Sequence, residues 1–368
     1  MSDTTVVHNR NGTAEREFAR RPTASWRRQV LSALSWRNIS AVYVLIAIVL
    51  IFSATIPDKF LTATTWRTLL DNQAVTGVAA VALVVPLAAG VFNLAIGLQV
   101  GIASIVVGWL LVKQGMPVAV AVPATALLGA AIGLVSGLLI TKARIDSFIA
   151  TLGVSSLLGA CVTGISGGEQ ILGMPKGFSS FGTGEIGGIT YPVLCLFAVC
   201  LVVWYLLERT PSGRRVYATG GNVDAARLTG VNTSLVIIGS LVACGILASF
   251  AGMLVTSKLA NADPTLGPGY LLPAFTAVFL GSTQFKRGRF NVWGTVLSVY
   301  VLAAGVKGLQ LSQVPVWIPD AFNGAALLVA VAAAKRQGAL GRSSGLLARA
   351  VRRARRTLPP DGLSEQKG

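Results

Sequence analysis

Histidine is nearly missing from this sequence: His8 is the only one, and it stands in a polar N-terminal arm. The four cysteines, Cys161, Cys195, Cys200 and Cys244, all lie within apolar runs and form no CxxC pair. These two scarcities all but exclude a soft-metal site and a histidine-activated nucleophile. They leave the thiols as small, buried apolar groups. Charge is scarce too, at 12% of residues against 53% hydrophobic. No G-x-x-x-x-G-K-[ST] run occurs, so the chain has no P-loop to cradle ATP phosphates. "GTGEIG" (182–187) fits a dinucleotide pattern only by spelling, because no strand precedes it and no helix follows. "GISGG" (164–168) resembles a nucleophile elbow but has no histidine to activate Ser166.

What is present is apolar sequence in long runs. Mean hydropathy is +0.68, and stretches of about 20 apolar residues, enough to cross a bilayer core as a helix, recur along the chain. The short alternating strands of a membrane β-barrel are absent. The expected fold is all-α, a polytopic bundle of about ten membrane helices with both termini cytoplasmic. The spans are expected near 39–56, 74–92, 95–113, 117–140, 148–166, 191–208, 234–256, 270–282, 291–309 and 316–334. The segment 270–282 is short, and the turn dividing 74–113, near "GVFNLAIG", carries no charge, so nine or eleven crossings are the neighbouring counts. The domain reading is a basic cytoplasmic arm (1–38), a membrane domain (39–335) and a basic cytoplasmic tail (336–368).

The charges test this layout independently. With both termini inside, the segments 1–38, 141–147, 209–233, 283–290 and 335–368 hold 25 of the 31 Lys and Arg residues, as the positive-inside bias requires. The net charge of +17 is therefore mostly topology, not a nucleic-acid surface. In "LLARAVRRARRTL" (346–358) Leu347, Ala350, Val351, Ala354 and Leu358 share one helical face, and Arg349, Arg352, Arg353 and Arg356 the other. This suits either a helix on an anionic leaflet or a solvated tail. Gly129, Gly133 and Gly137 repeat every four residues, as do Gly97 and Gly101, which predicts close helix–helix approach. No span holds an acid or base near its centre, where coupled carriers place such groups. Uphill transport would draw its energy from another subunit.

One short polar stretch interrupts the apolar runs. In "GGNVDAARLTGVN" (220–232), Asn222 is a good N-cap, Asp224 sits in the first turn, and Arg227 follows three residues later. Gly230 can take the left-handed conformation that stops a helix. A two-turn helix of this kind is marginal alone and needs something to dock on.

That stretch resembles the EAA-x-x-x-G loop of ATP-binding-cassette importer membrane subunits, in Asp224, Ala225, Ala226 and Gly230. "GRRVYATGGNVDAARLTGVN" resembles the corresponding loop of the ribose-type branch, and "DSFIATLG" (146–153) and "ADPTLGPGYLLPAFTAVFLGSTQFKRGRFNVWGTVLS" (262–298) resemble further family segments in order. The resemblance covers about residues 65 to 335. It implies a permease subunit, not an enzyme, in a bacterial inner membrane, importing a monosaccharide or similar small polar solute. By the same resemblance Asn222, Asp224, Ala225, Ala226, Arg227 and Gly230, within the coupling loop 209–233, engage a cytoplasmic ATPase. That partner would hold the ATP and magnesium. A solute-binding protein and a second permease copy complete the assembly. An ATP-independent carrier or channel, or an importer with a non-sugar cargo such as an autoinducer or polyol, is the alternative. Two departures stand out: Asn93 and Ala95 replace the acid and serine of the family's "G-[IF]-DLS-[VI]-G", and Leu271 replaces the glutamate of "GY-E-L". Asn93 and Gln99 are the candidate pathway residues, since amides within a span can hydrogen-bond hydroxyls. Hydrogen bonding between helices is the competing role.

Overall fold

Once out of water, an apolar segment must satisfy its backbone internally, and a helix does so within one segment. The computed structural model describes residues 40–285, 288–315 and 317–334, and helices account for most of them. The arm at 1–38 and the amphipathic pattern at 346–358 lie outside the described residues. In chain order the helices are α1 (Ser40–Thr55), α2 (Pro57–Phe60), α3 (Ala63–Ala88), α4 (Ile96–Gly108), α5 (Val118–Thr141) and α6 (Ser147–Ser166). They continue as α7 (Lys176–Thr183), α8 (Tyr191–Arg209), α9 (Pro211–Gly221), α10 (Val223–Leu228) and α11 (Thr233–Leu259). The last three are α12 (Leu271–Ser282), α13 (Val292–Leu311) and α14 (Trp317–Ala334).

Among the described residues, eight helices are long and apolar enough to cross a membrane: α3, α4 with its π-turn extension Trp109–Lys113, α5, α6, α8, α11, α13 and α14. The protein is a polytopic helical membrane protein. The two other segments expected as spans are shorter: α1 has an apolar stretch at Leu45–Thr55, and α12 has 12 residues.

The span expected at 74–92 needs correction. Helix α3 starts at Ala63, where the Thr62 hydroxyl caps it by accepting from the Thr65 N–H at 3.2 Å, and it stops at Ala88. Hydropathy locates the apolar core of a helix and not its polar first turns, here "ATTWRTLLDNQ". The stop comes from Gly90, whose φ of +84° turns the chain out of the helix, while Val91 N–H returns to the Pro86 carbonyl at 3.0 Å. Residues 89–95 then form a non-helical connection into α4.

Helices α3 and α11 are the central pair. From Ala74 to Ala88 every residue of α3 is buried. Helix α5 lies against α11 through the predicted glycine face. A Cβ on Gly133 would stand 2.3 Å from the Leu241 carbonyl oxygen, and one on Gly129 the same distance from that of Gly245. Gly97 closes on Gly267 in the same manner.

One end of the helical bundle carries the small non-helical elements. Strand β1 (Ile171–Leu172) pairs antiparallel with β4 (Asn261–Ala262), and β2 (Glu185–Ile186) with β3 (Ile189–Thr190). Asp263, beside β4, accepts from the backbone and hydroxyl of Thr265 and from Gln170. The Thr265 bonds hold its carboxyl below the usual aspartate value. Lys258 pairs with Asp71 at 2.6 Å, Asp71 accepts from the Thr190 hydroxyl, and Lys258 donates to Asn72. This group joins the N-terminal part of α3 and the C-terminal end of α11 to the β2–β3 hairpin.

Candidate functional site

A platform at the opposite end of the bundle is built from α9, α10 and the start of α11. Helix α9 was not expected from the sequence, although its signal is there: Pro211 occupies the first turn and Thr210 caps it, accepting from Gly213 N–H at 3.4 Å. Helix α10 follows the sequence reading closely. The Asn222 side chain accepts from Ala225 N–H at 3.0 Å, and Asp224 lies in the first turn. Gly230, at φ +84°, ends the helix, with Val231 N–H reaching back to the Ala226 carbonyl at 3.1 Å. The Arg227 Nε donates to the Thr233 hydroxyl at 3.0 Å, tying α10 to α11. Ala226 is buried, while Asp224 and Ala225 face out and Leu228 is 90% exposed. Leu228 is the residue that sequence reasoning missed in this helix.

Two contacts connect the platform to the membrane helices. A Cβ on Gly220 would meet the Ala88 carbonyl oxygen at 2.2 Å, so the end of α9 rests on the end of α3. Tyr217 donates to the Phe290 carbonyl at 2.8 Å, and the Arg289 guanidinium lies 3.5 Å over its ring. Burial pushes the Tyr217 phenol up, and Arg289 opposes the shift. Helix α9 is thereby tied to the connection between α12 and α13.

Deeper in, the structure brings Asn93 and Gln99 together. Both are 0% exposed. The Asn93 Nδ2 donates to Gln99 Oε1 at 3.0 Å and to Cys244 Sγ at 3.2 Å, and Asn93 Oδ1 accepts from Ala95 N–H. Gln99 Nε2 has no hydrogen-bond partner among the described residues. Of the cysteines, Cys200 and Cys244 are buried, Cys195 is partly so, and Cys161 is exposed on α6.

Elsewhere in the bundle, a cavity of about 290 Å³ opens between α3, the 3₁₀ turn Gly267–Tyr270, α13 and α14. Gln73, Thr76, Tyr270 and Asn323 line it among apolar groups. The sequence reading named none of them.

The chain matches the family described as branched-chain amino acid transport system, permease component, over residues 68–331. The chain belongs to this permease family. The permease is 33% identical to the ribose import permease protein RbsC of Escherichia coli K12 over 315 residues, covering 84% of this chain and 97% of that protein. It is 32% identical to RbsC of Bacillus subtilis over 294 residues, 79% and 91% of the two chains. It is also 32% identical to the autoinducer 2 import system permease protein LsrD of Yersinia enterocolitica, over 69% of this chain and 78% of that one. No solved structure matches the permease significantly. It is a multi-pass inner-membrane transporter subunit and not an enzyme.

Proposed function

We propose that this permease imports a monosaccharide or similar small polar solute, with α10 as the helix on which a separate cytoplasmic ATPase docks. Leu228 carries this reading. It is an exposed leucine on a helix of only six residues whose Ala226 is seated in the protein. So short a helix is marginal alone. The Asn222 cap, the Arg227–Thr233 bond and the Gly230 turn hold its inner side, and Asp224, Ala225 and Leu228 are presented to a partner. The cargo class is supported by the ribose and autoinducer 2 import permeases it resembles.

In this reading ATP and magnesium belong to the ATPase chain. A solute-binding protein delivers cargo to the outer face, and a second permease copy, identical or different, completes the core. Ten crossings with both termini inside place α9 and α10 in the cytoplasm, in keeping with the Lys and Arg distribution. Helix α3 then links the two faces: from Gln73 to Ala88 it runs about 22 Å at 1.5 Å per residue, and Ala88 rests on Gly220 of α9. The Asn93–Gln99 pair stands as the joint between the 89–95 connection and α4, and Gln99's spare amide N–H is what it offers a passing hydroxyl.

The test is substitution on α10. Leu228→Asp removes the exposed apolar contact. Gly230→Val strains the turn by about 1–3 kcal/mol, through φ alone, since a Cβ there meets nothing within 4 Å. Both variants should insert normally, yet retain less ATPase on purification, and solute-stimulated hydrolysis should fall together with uptake. Undiminished coupling in both would remove α10 as the docking helix.

A further inference from the structure

We infer that the cavity between α3, α12, α13 and α14 is a solute-binding station in the outer half of the permease, and that it takes a neutral polyhydroxylated molecule. The inference rests on the importer reading above and extends it to named residues.

The first observation is convergence. Gln73 and Thr76 come from α3, Tyr270 from the 3₁₀ turn before α12, and Asn323 from α14, and all four line one cavity of about 290 Å³. That lies at the small end of ligand pockets, roughly 300–1,000 Å³, and suits a single sugar ring better than a larger solute. The second observation is unspent hydrogen-bonding capacity. None of the four side chains has a hydrogen-bond partner among the described residues. Thr76 is only 8% exposed and does not back-bond to its own helix, as Thr125, Ser136 and Thr256 do within theirs. Polar groups enclosed in protein are normally paired. Thr76 is buried and Gln73, Tyr270 and Asn323 are half-buried around one space, so their open polar atoms face whatever enters it.

The third observation is the absence of charge. The lining holds no Asp, Glu, Lys or Arg, and Lys307 and Asp320, near lining residues in sequence, do not line it. Asp71 and Lys258, further out on α3 and α11, are spent on each other and on Thr190 and Asn72. A zwitterionic amino acid would leave its ammonium and carboxylate without countercharges in a low-dielectric space. A sugar presents hydroxyls to amides and hydroxyls, and its C–H faces to Pro273, Leu302 and Val306. The cavity thus selects the carbohydrate side of a family described by amino acid transport.

The test uses the whole importer, reconstituted in vesicles with its ATPase and binding protein. The probes are radiolabelled ribose, a set of other labelled neutral monosaccharides, and labelled leucine. Thr76→Val, which keeps side-chain shape, and Gln73→Leu and Asn323→Leu should each cut uptake of the carried sugar by about tenfold or more, as lost hydroxyl contacts do in a site built for them. Association with the ATPase and unstimulated ATP hydrolysis should be unchanged. Wild-type uptake in Thr76→Val and in either leucine variant overturns the station. Uptake of leucine in place of every sugar overturns the solute class. Sugar uptake by the parent that proceeds without ATP overturns the importer reading, and the variants still report separately on the cavity.

Discussion

Removing one half of a buried hydrogen-bonded pair leaves the survivor with its full desolvation penalty, whereas removing both halves does not. Asn93 and Gln99 allow that comparison, because both are wholly enclosed and Asn93 donates to Gln99 and to Cys244. Asn93→Leu should lower stability by about 2–3 kcal/mol, as Gln99 Oε1 and the Ala95 N–H lose their partner. Adding Gln99→Leu should recover much of that loss, and unfolding of the purified permease in lipid micelles by denaturant reads both values. A double variant as weak as the sum of the two singles would mean that the residues are not energetically paired. Both amides were visible in the sequence as polar residues within apolar runs. Their pairing was not, because it depends on the break at 89–95 that folds Asn93 back beside α4 and α11. At Gly230 the opposite holds. Its left-handed turn follows from neighbours a few residues away, so the sequence revealed it.

Helices pack in this protein through glycine, and the consequence is asymmetric along the chain. Gly133→Ala places a methyl group on the α11 backbone, 2.3 Å from the Leu241 carbonyl oxygen. It should destabilise the permease by about 1–3 kcal/mol through overpacking. Gly153→Ala on α6 meets nothing within 4 Å and should be neutral, or stabilising by up to about 1 kcal/mol through helix propensity. Thermal melting of the two variants in the same detergent decides this. Equal shifts would mean that the α5–α11 approach is looser than described. The four-residue glycine repeat was legible because it is a property of one helix. Its partner was not, since nothing local marks α11 as the surface it meets. Helices α7 and α9 escaped a reading tuned to long apolar runs, although Pro175 and the Thr210–Pro211 pair announce their starts.

At the scale of the whole molecule, the exposed β2–β3 hairpin and the exposed end of α10 should lie on opposite sides of the membrane. With the four native cysteines replaced, Ile186→Cys should react with an impermeant thiol reagent in intact cells, and Leu228→Cys only after the inner face is opened. Both sites are well exposed, at 62% and 90%, so access and not burial sets the result. Labelling of Leu228→Cys in intact cells would invert the topology and end the case for a cytoplasmic dock. The sequence by itself determined the helical membrane class, the charge bias behind this orientation, and the capped two-turn helix. Each of these follows from hydropathy, charge or turn chemistry acting over a few to about 20 neighbouring residues. Only the tertiary structure decided where polar capacity is spent and where it is left open. Asn93 turned out to donate to Gln99 and Cys244 and to leave Gln99 Nε2 without a partner, while Gln73, Thr76, Tyr270 and Asn323, from three separate segments, came to share one cavity. Gln73, Thr76, Gln99 and Asn323, scattered through apolar helices, carry no period or motif of their own. Their meaning is fixed by which helix faces pack and which leave a gap, and that is settled by close steric fit between segments far apart in the chain.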